Sequence, residues 1–233
     1  MFRAFYESPW QHPGLLFASA ALGLFIALGQ RRRVHSSVVV AGCALFALQL
    51  LDAWLTASEV LGIGRLTGAA STVIPVTFVV LGDLRYLLAA ETLLPDGRVV
   101  VRAHGVLRAL GWVLFVPLAS QLVVRAVLRS DDARVLFLTY ELLFFAVILS
   151  RRPYVRSRLS DPETRRWHRA LDRLALTWYG AWSLADAMIL GLPGEASDLG
   201  FLVRLFPNAL YYGAMPAVLA LAAPSRERPP PKI

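Results

Sequence analysis

The sequence predicts an all-α fold, a polytopic membrane protein built as a seven-transmembrane-helix bundle with its N-terminus outside and its C-terminus in the cytoplasm. Three observations carry this. Hydrophobic residues make up 57% of the 233-residue chain and the mean hydropathy is +0.55, more than a soluble domain hides in one core. The apolar residues gather into stretches at 13–29, 36–57, 66–90, 105–128, 133–150, 170–192 and 199–222. Each has the roughly 17–25 residues needed to cross a hydrocarbon layer about 30 Å thick. Without water at that depth the backbone must satisfy its own hydrogen bonds, which selects helices. Third, arginine is sorted between the loops that join the stretches.

The first span follows a leader, Met1 to Pro13, whose only arginine is Arg3, while Arg31, Arg32 and Arg33 come after the apolar run. A secretory signal has the opposite order and a small-residue cleavage site, so this span is expected to be retained. Span two contains the single cysteine, Cys43, which leaves no partner for a disulfide and no Cys-based metal site. Span three ends at Leu94-Pro95-Asp96-Gly97, where proline and glycine supply the dihedrals of a tight turn. Spans four and five are joined by a short outer loop, as antiparallel neighbours in a bundle should be. Before span six, Ser160-Asp161-Pro162-Glu163 reads as a capping box with proline in the first turn, so the helix is expected to start near Pro162. Span seven contains Pro207 and Pro216, which predict kinks and freed backbone carbonyls. Residues 1–223 thus read as a single transmembrane domain and 224–233, with Pro229-Pro230-Pro231, as a disordered cytoplasmic tail.

Orientation follows from the positive-inside rule. With span one running inward, the cytoplasmic segments hold Arg31 to Arg33, Arg98, Arg102, Arg108, the arginines from Arg151 to Arg173, Arg226, Arg228 and Lys232. The outer segments hold only Arg3, Arg65, Arg125, Arg129, Arg134 and Arg204. A bacterial-type inner membrane is the expected location. The same sorting accounts for the net charge of +8 and the isoelectric point near 10.4. In a soluble protein such charge suggests nucleic acid, but no nucleic-acid motif accompanies it here. The expected partner is the lipid bilayer. The basic 151–169 loop adds contact with anionic lipid headgroups on the cytoplasmic face, at about 1 kcal/mol per basic residue.

Ionisable side chains inside spans are costly and ask for a reason. Asp52, Asp186, Arg204 and Asn208 fall in the outer half, and Glu141 with Tyr140 near the middle. Trp178, Trp182 and Asp186 recur every four residues, as do Arg204, Asn208 and Tyr212, so each set shares one helix face. These faces predict an outward-opening polar pocket between spans two, five, six and seven. The alternative is that the charges are interhelical pairs that fix the bundle. Asp83, Arg85 and Tyr86 fall in the inner third of span three and form a second, inner ionic site. Asp83 and Arg85, two residues apart, point to different sides of the helix. Arg85 is expected to snorkel inward or to reach a carboxylate on another helix. His35, His104 and His168 lie at cytoplasmic helix ends and are weak candidates for a metal, with neither HExxH nor HxxxH spacing among them.

Arg85-Tyr86 in span three and Trp178 with Trp182 in span six are similar to features of microbial rhodopsins. The only lysine is Lys232, in the tail, so a retinal Schiff base is excluded and no cofactor is expected. No family follows from so few residues. The leading functional expectation is a small sensor that binds a molecule or ion in the outer pocket and is read at its cytoplasmic face by a separate protein partner. Three alternatives stay open. They are a membrane-embedded enzyme acting on lipid through the histidines and Glu91, an assembly subunit without chemistry, and an ion or proton transporter along Asp83, Glu141 and Asp52.

Overall fold

The computed structural model describes residues 1–56 and 70–227, and every regular element among them is helical apart from an isolated bridge between Leu93 and Val99. A short α1 (Phe2–Tyr6) and a π-helical turn (Trp10–Leu15) lead into α2 (Leu16–Gly29). Next come α3 (Ser36–Thr56), α4 (Ala70–Thr92) and α5 (Ala103–Leu122), the last extended by a π-helical turn, Val123–Leu128. Then follow α6 (Ala133–Arg158), α7 (Pro162–Gly191), α8 (Asp198–Ala209), a π-helical turn (Leu210–Ala214) and α9 (Met215–Leu221). From α2 to α8 each helix packs on the next in sequence, the α8–α9 column closes onto α2 and α3, and α4 reaches α7 across the middle. The outer-loop Arg65, Arg228, Lys232 and the proline run of the tail lie outside the described residues.

Three helical stretches among the described residues are long and apolar enough to cross a membrane: Trp10–Gly29, Ala103–Leu128 and Ala133–Val155. Ser36–Asp52 is a shorter apolar helix. The 23-residue α4 and 30-residue α7 are long as well but carry buried charged residues, Asp83 and Arg85 in the first, Asp172 and Asp186 in the second. The partition of side chains is the inverse of a water-soluble protein's. Phe25 is 76% exposed and Leu118 71%, while Asp83, Arg85, Glu141 and Asp186 are buried. Large apolar groups outside and ionisable groups inside suit a bundle whose surroundings are lipid.

Local features follow from particular residues. The helix α7 starts at Pro162, but its cap is Asp161, one residue later than the capping-box reading from Ser160 implies. The Asp161 carboxylate accepts from the Thr164 backbone N–H at 2.7 Å and from the Thr164 hydroxyl at 2.8 Å. With Asp161 as the cap, proline occupies the first helical position, where a missing N–H costs nothing. At the 94–97 turn, Gly97 takes a positive φ of 79° and donates its N–H to the Leu94 carbonyl at 3.0 Å. Pro224 packs beside it. Arg33 caps the far end of α9, donating to the carbonyls of Ala220, Leu221 and Ala223 at 2.6, 2.8 and 2.9 Å. Those carbonyls have no partner within the helix.

Close backbone packing seats the last column. A methyl group added at Gly23 would collide with the Gly213 carbonyl, and one at Gly213 with the Ser19 carbonyl. Small residues let two helices approach to backbone contact, the usual device where lipid offers no hydrophobic drive. The π-helical turn of this column leaves a carbonyl to satisfy. In an i→i+5 pattern Tyr211 would need the N–H of residue 216, which is proline and has none. The Gln49 side-chain amide supplies the donor instead, at 3.2 Å.

Candidate functional site

Near the end of the bundle that holds the N-terminal segment lies a cavity of about 480 Å³, within the size range of small-molecule sites. Asp52 enters it from α3, Asp83 from α4, Glu141 with Phe137 and Tyr140 from α6, and Tyr179 with Trp182 from α7. The last column adds Arg204, Asn208, Tyr211 and Tyr212. Tyr6, Glu7, Ser8, Gln11 and His12 cover one side. Sequence reasoning treated that segment only as a leader. Its contacts with the rest of the chain span nearly two hundred residues, and no local pattern encodes them. The anchor is Asp198, whose carboxylate accepts from the amine of Met1 at 2.6 Å and the N–H groups of Phe2 and Arg3 at 2.9 and 2.8 Å. These hydrogen bonds, the amine's first among them, hold the half-buried Asp198 carboxyl below its usual range.

The polar and aromatic faces predicted for spans two, five, six and seven meet at this cavity, with two exceptions. Asp186 is fully buried behind it and pairs with the Arg204 guanidinium and, at 3.1 Å, with Arg134. Trp178 sits deeper, edge-on to Tyr86 and Tyr211 with ring centroids 6.4 and 5.5 Å away. Arg204 is well occupied. Its Nε donates to the Tyr6 hydroxyl at 2.9 Å, and its Nη1 serves Asp186 while lying 3.5 Å from Glu141 Oε1. Trp182 donates its indole N–H to the Asn208 amide oxygen at 2.7 Å, which fixes both side chains at the wall.

Asp83, Arg85 and Tyr86 do not form one separate inner site. Asp83 is part of the cavity, and both its oxygens accept hydroxyl protons, from Tyr140 and from Tyr179. At the neighbouring Gly82, the Tyr211 hydroxyl occupies the space where a side chain would stand. Arg85 stays within the bundle, only 6% exposed, in place of snorkelling. Its Nε donates back to the Gly82 carbonyl at 3.2 Å, and its guanidinium lies 4.8 Å over the Tyr211 ring. The ring face supplies the attraction that an inward-reaching side chain would find in water. Asp52 is paired with the Tyr212 hydroxyl and feels the Arg85 charge. Tyr86 points the other way, donating to Asp172 at 2.7 Å.

The acids at the arginine-rich end are ringed by donors by comparison. Glu91, one residue beyond the predicted third span, accepts from Arg108 at 2.8 and 3.0 Å, from Arg151 at 2.6 Å and from Arg158 at 2.9 Å. Burial alone would raise its carboxyl, but the hydrogen bonds from Arg158 and Arg108 and the Arg151 charge outweigh that and hold it below its usual range. Asp172 gathers Tyr86, His168 at 3.3 Å and Arg152 at 3.4 Å. The three candidate metal histidines do not come together. Among the described residues no group of three His, Cys, Asp or Glu side chains is placed to hold a metal. His168 is committed to Asp172, and His35 lies 3.1 Å from the Ser37 hydroxyl. No protein-family model, no curated protein and no solved structure matches this chain.

Proposed function

We propose that this chain is a seven-span integral membrane protein of a bacterial-type inner membrane, and that it acts as a small-molecule sensor whose cavity opens to the outside. The observation that carries the reading is the cavity itself, roofed by the N-terminal segment and walled by polar and aromatic side chains from five helical columns. A bundle that served only as scaffold would gain more by filling that volume with apolar side chains. The arginine sorting supports the orientation, since Arg33, Arg108, Arg151 and Arg158 all collect at the opposite end from the cavity. That basic end would lie on anionic headgroups and present the surface read by a separate protein partner.

The test is accessibility from the outer side. In a Cys43→Ala background, Asn208→Cys places one thiol on the cavity wall. A membrane-impermeant thiol reagent applied to the outside of intact cells or spheroplasts is expected to label it. Labelling only after the membrane is opened would reverse the orientation, and none in either case would remove the open cavity.

A further inference from the structure

We propose that the cavity selects a small organic monocation, an ammonium carried on an aromatic or aliphatic body, an inference that rests on the sensor reading above. The argument begins with charge. Among the described residues, and leaving aside Glu7, which Arg3 pairs at 2.9 Å, and the neutral imidazole of His12, four carboxylates, Asp52, Asp83, Glu141 and Asp186, stand at or directly behind the cavity wall against three guanidinium groups, Arg85, Arg134 and Arg204. When all are ionised the site is one positive charge short. Glu141 marks the place of the deficit. It lines the cavity, is 3% exposed, and its Oε2 has no hydrogen-bond partner among the described residues. Its other oxygen meets only the Arg204 Nη1, which is already held by Asp186. A buried carboxylate oxygen left without a donor is a costly state that a bound N–H or ammonium group relieves.

The remaining wall suits the body of such a ligand. Tyr140, Tyr179, Trp182 and Tyr212 line the same space, and ring faces attract a cation while burying its apolar part. An anionic ligand finds no equivalent welcome. The one guanidinium on the wall among the described residues, Arg204, has its Nε on Tyr6 and its Nη1 on Asp186, so a carboxylate would have to break those contacts and sit among like charges.

Three isosteric probes separate charge from shape: phenethylammonium, 2-phenylethanol and phenylacetate. Each is titrated against the full-length protein in lipid nanodiscs, read by the rate of thiol labelling at Asn208→Cys in the Cys43→Ala background and by tryptophan fluorescence in the unmodified chain. Phenethylammonium is expected to protect saturably, with an apparent affinity at least about tenfold above 2-phenylethanol, and phenylacetate not to protect. Glu141→Gln is expected to erase that preference, with Asp52→Asn as the second variant should the first not yield a monodisperse protein. Equal protection by 2-phenylethanol, better protection by phenylacetate, protection by sodium chloride alone, or labelling that no probe slows would each overturn the cation assignment while leaving the outward cavity in place. Failure of Asn208→Cys to label at all would instead strike the sensor reading beneath it.

Discussion

The two ends of the bundle bury comparable numbers of charges and use them in opposite ways. At the arginine-rich end one carboxylate, Glu91, is ringed by Arg108, Arg151 and Arg158, and Asp172 is ringed by Tyr86, His168 and Arg152. At the other end Asp52, Asp83, Glu141 and Arg204 surround a cavity of about 480 Å³, and Glu141 is left with an unsatisfied oxygen. Acids ringed by several donors are a way to fix helices. An under-satisfied acid beside a space, as Glu141 is, is a way to hold something else. The distinction rests on the partner count of each carboxylate, since burial is nearly the same for Glu91 and Glu141, whose side chains are 1% and 5% exposed.

That contrast can be broken by removing acids one at a time. The largest loss is expected for Glu91→Gln, which strips the counter-charge from Arg151, itself only 4% exposed. Leaving a buried charge without its partner costs about 3–5 kcal/mol, enough to abolish the monodisperse fraction after mild heating in detergent. The same residue sets an acid limit. Its carboxyl is held below its usual range in the fold, so its stabilising contribution is complete above the ordinary carboxylate pKa and is lost as pH falls through the lowered one. A melting-temperature series from neutral to acid pH should therefore decline in the parent and be flatter in Glu91→Gln.

Gly23→Ala comes next, because its methyl group must displace the backbone at Gly213 and with it the turn that carries Tyr211 and Tyr212. Overpacking of this kind costs about 1–3 kcal/mol and should lower the melting temperature and alter tryptophan emission together. Asp83→Asn follows. It trades a carboxylate that accepts two tyrosine hydroxyls for an amide with one acceptor, a loss of about 1–2 kcal/mol. The smallest effect on stability belongs to Glu141→Gln, under about 1 kcal/mol in either direction, because this acid holds little in place. A destabilisation as large as that of Glu91→Gln would erase the difference between the two ends.

Much of the helical frame was legible in the sequence because apolar runs are local. The starts of α3, α6 and α7 fall at Ser36, Ala133 and Pro162, where the composition changes. The candidate site was legible only in part. Helical spacing placed Trp182, Arg204, Asn208 and Tyr212 on inward faces, the cost of an ionisable group within a span singled out Asp52 and Glu141, and all six line the cavity. Spacing along one helix says nothing of how far around its axis a neighbour's face is turned. Asp83 was therefore assigned to a different depth from the pocket it shares with Tyr140 and Tyr179. Trp178 and Asp186 share a stripe with Trp182, yet pack behind the wall. Tyr6 to His12 carried no signal at all, since a short polar and aromatic leader reads the same whether it covers a cavity or trails in water.

The amide of Gln49 on the Tyr211 carbonyl gives the bent last column a latch. Gln49 and Asp52 are three residues apart on α3, so they ride on the same turn, one bolted to the bend and the other facing the cavity. A guest that draws Asp52 toward itself also draws the bolt, and the freed carbonyl has no backbone N–H at residue 216 to return to. Occupancy of the cavity and the angle of the last column are then two readings of a single displacement, carried by one turn of helix toward α9, whose far end rests on Arg33.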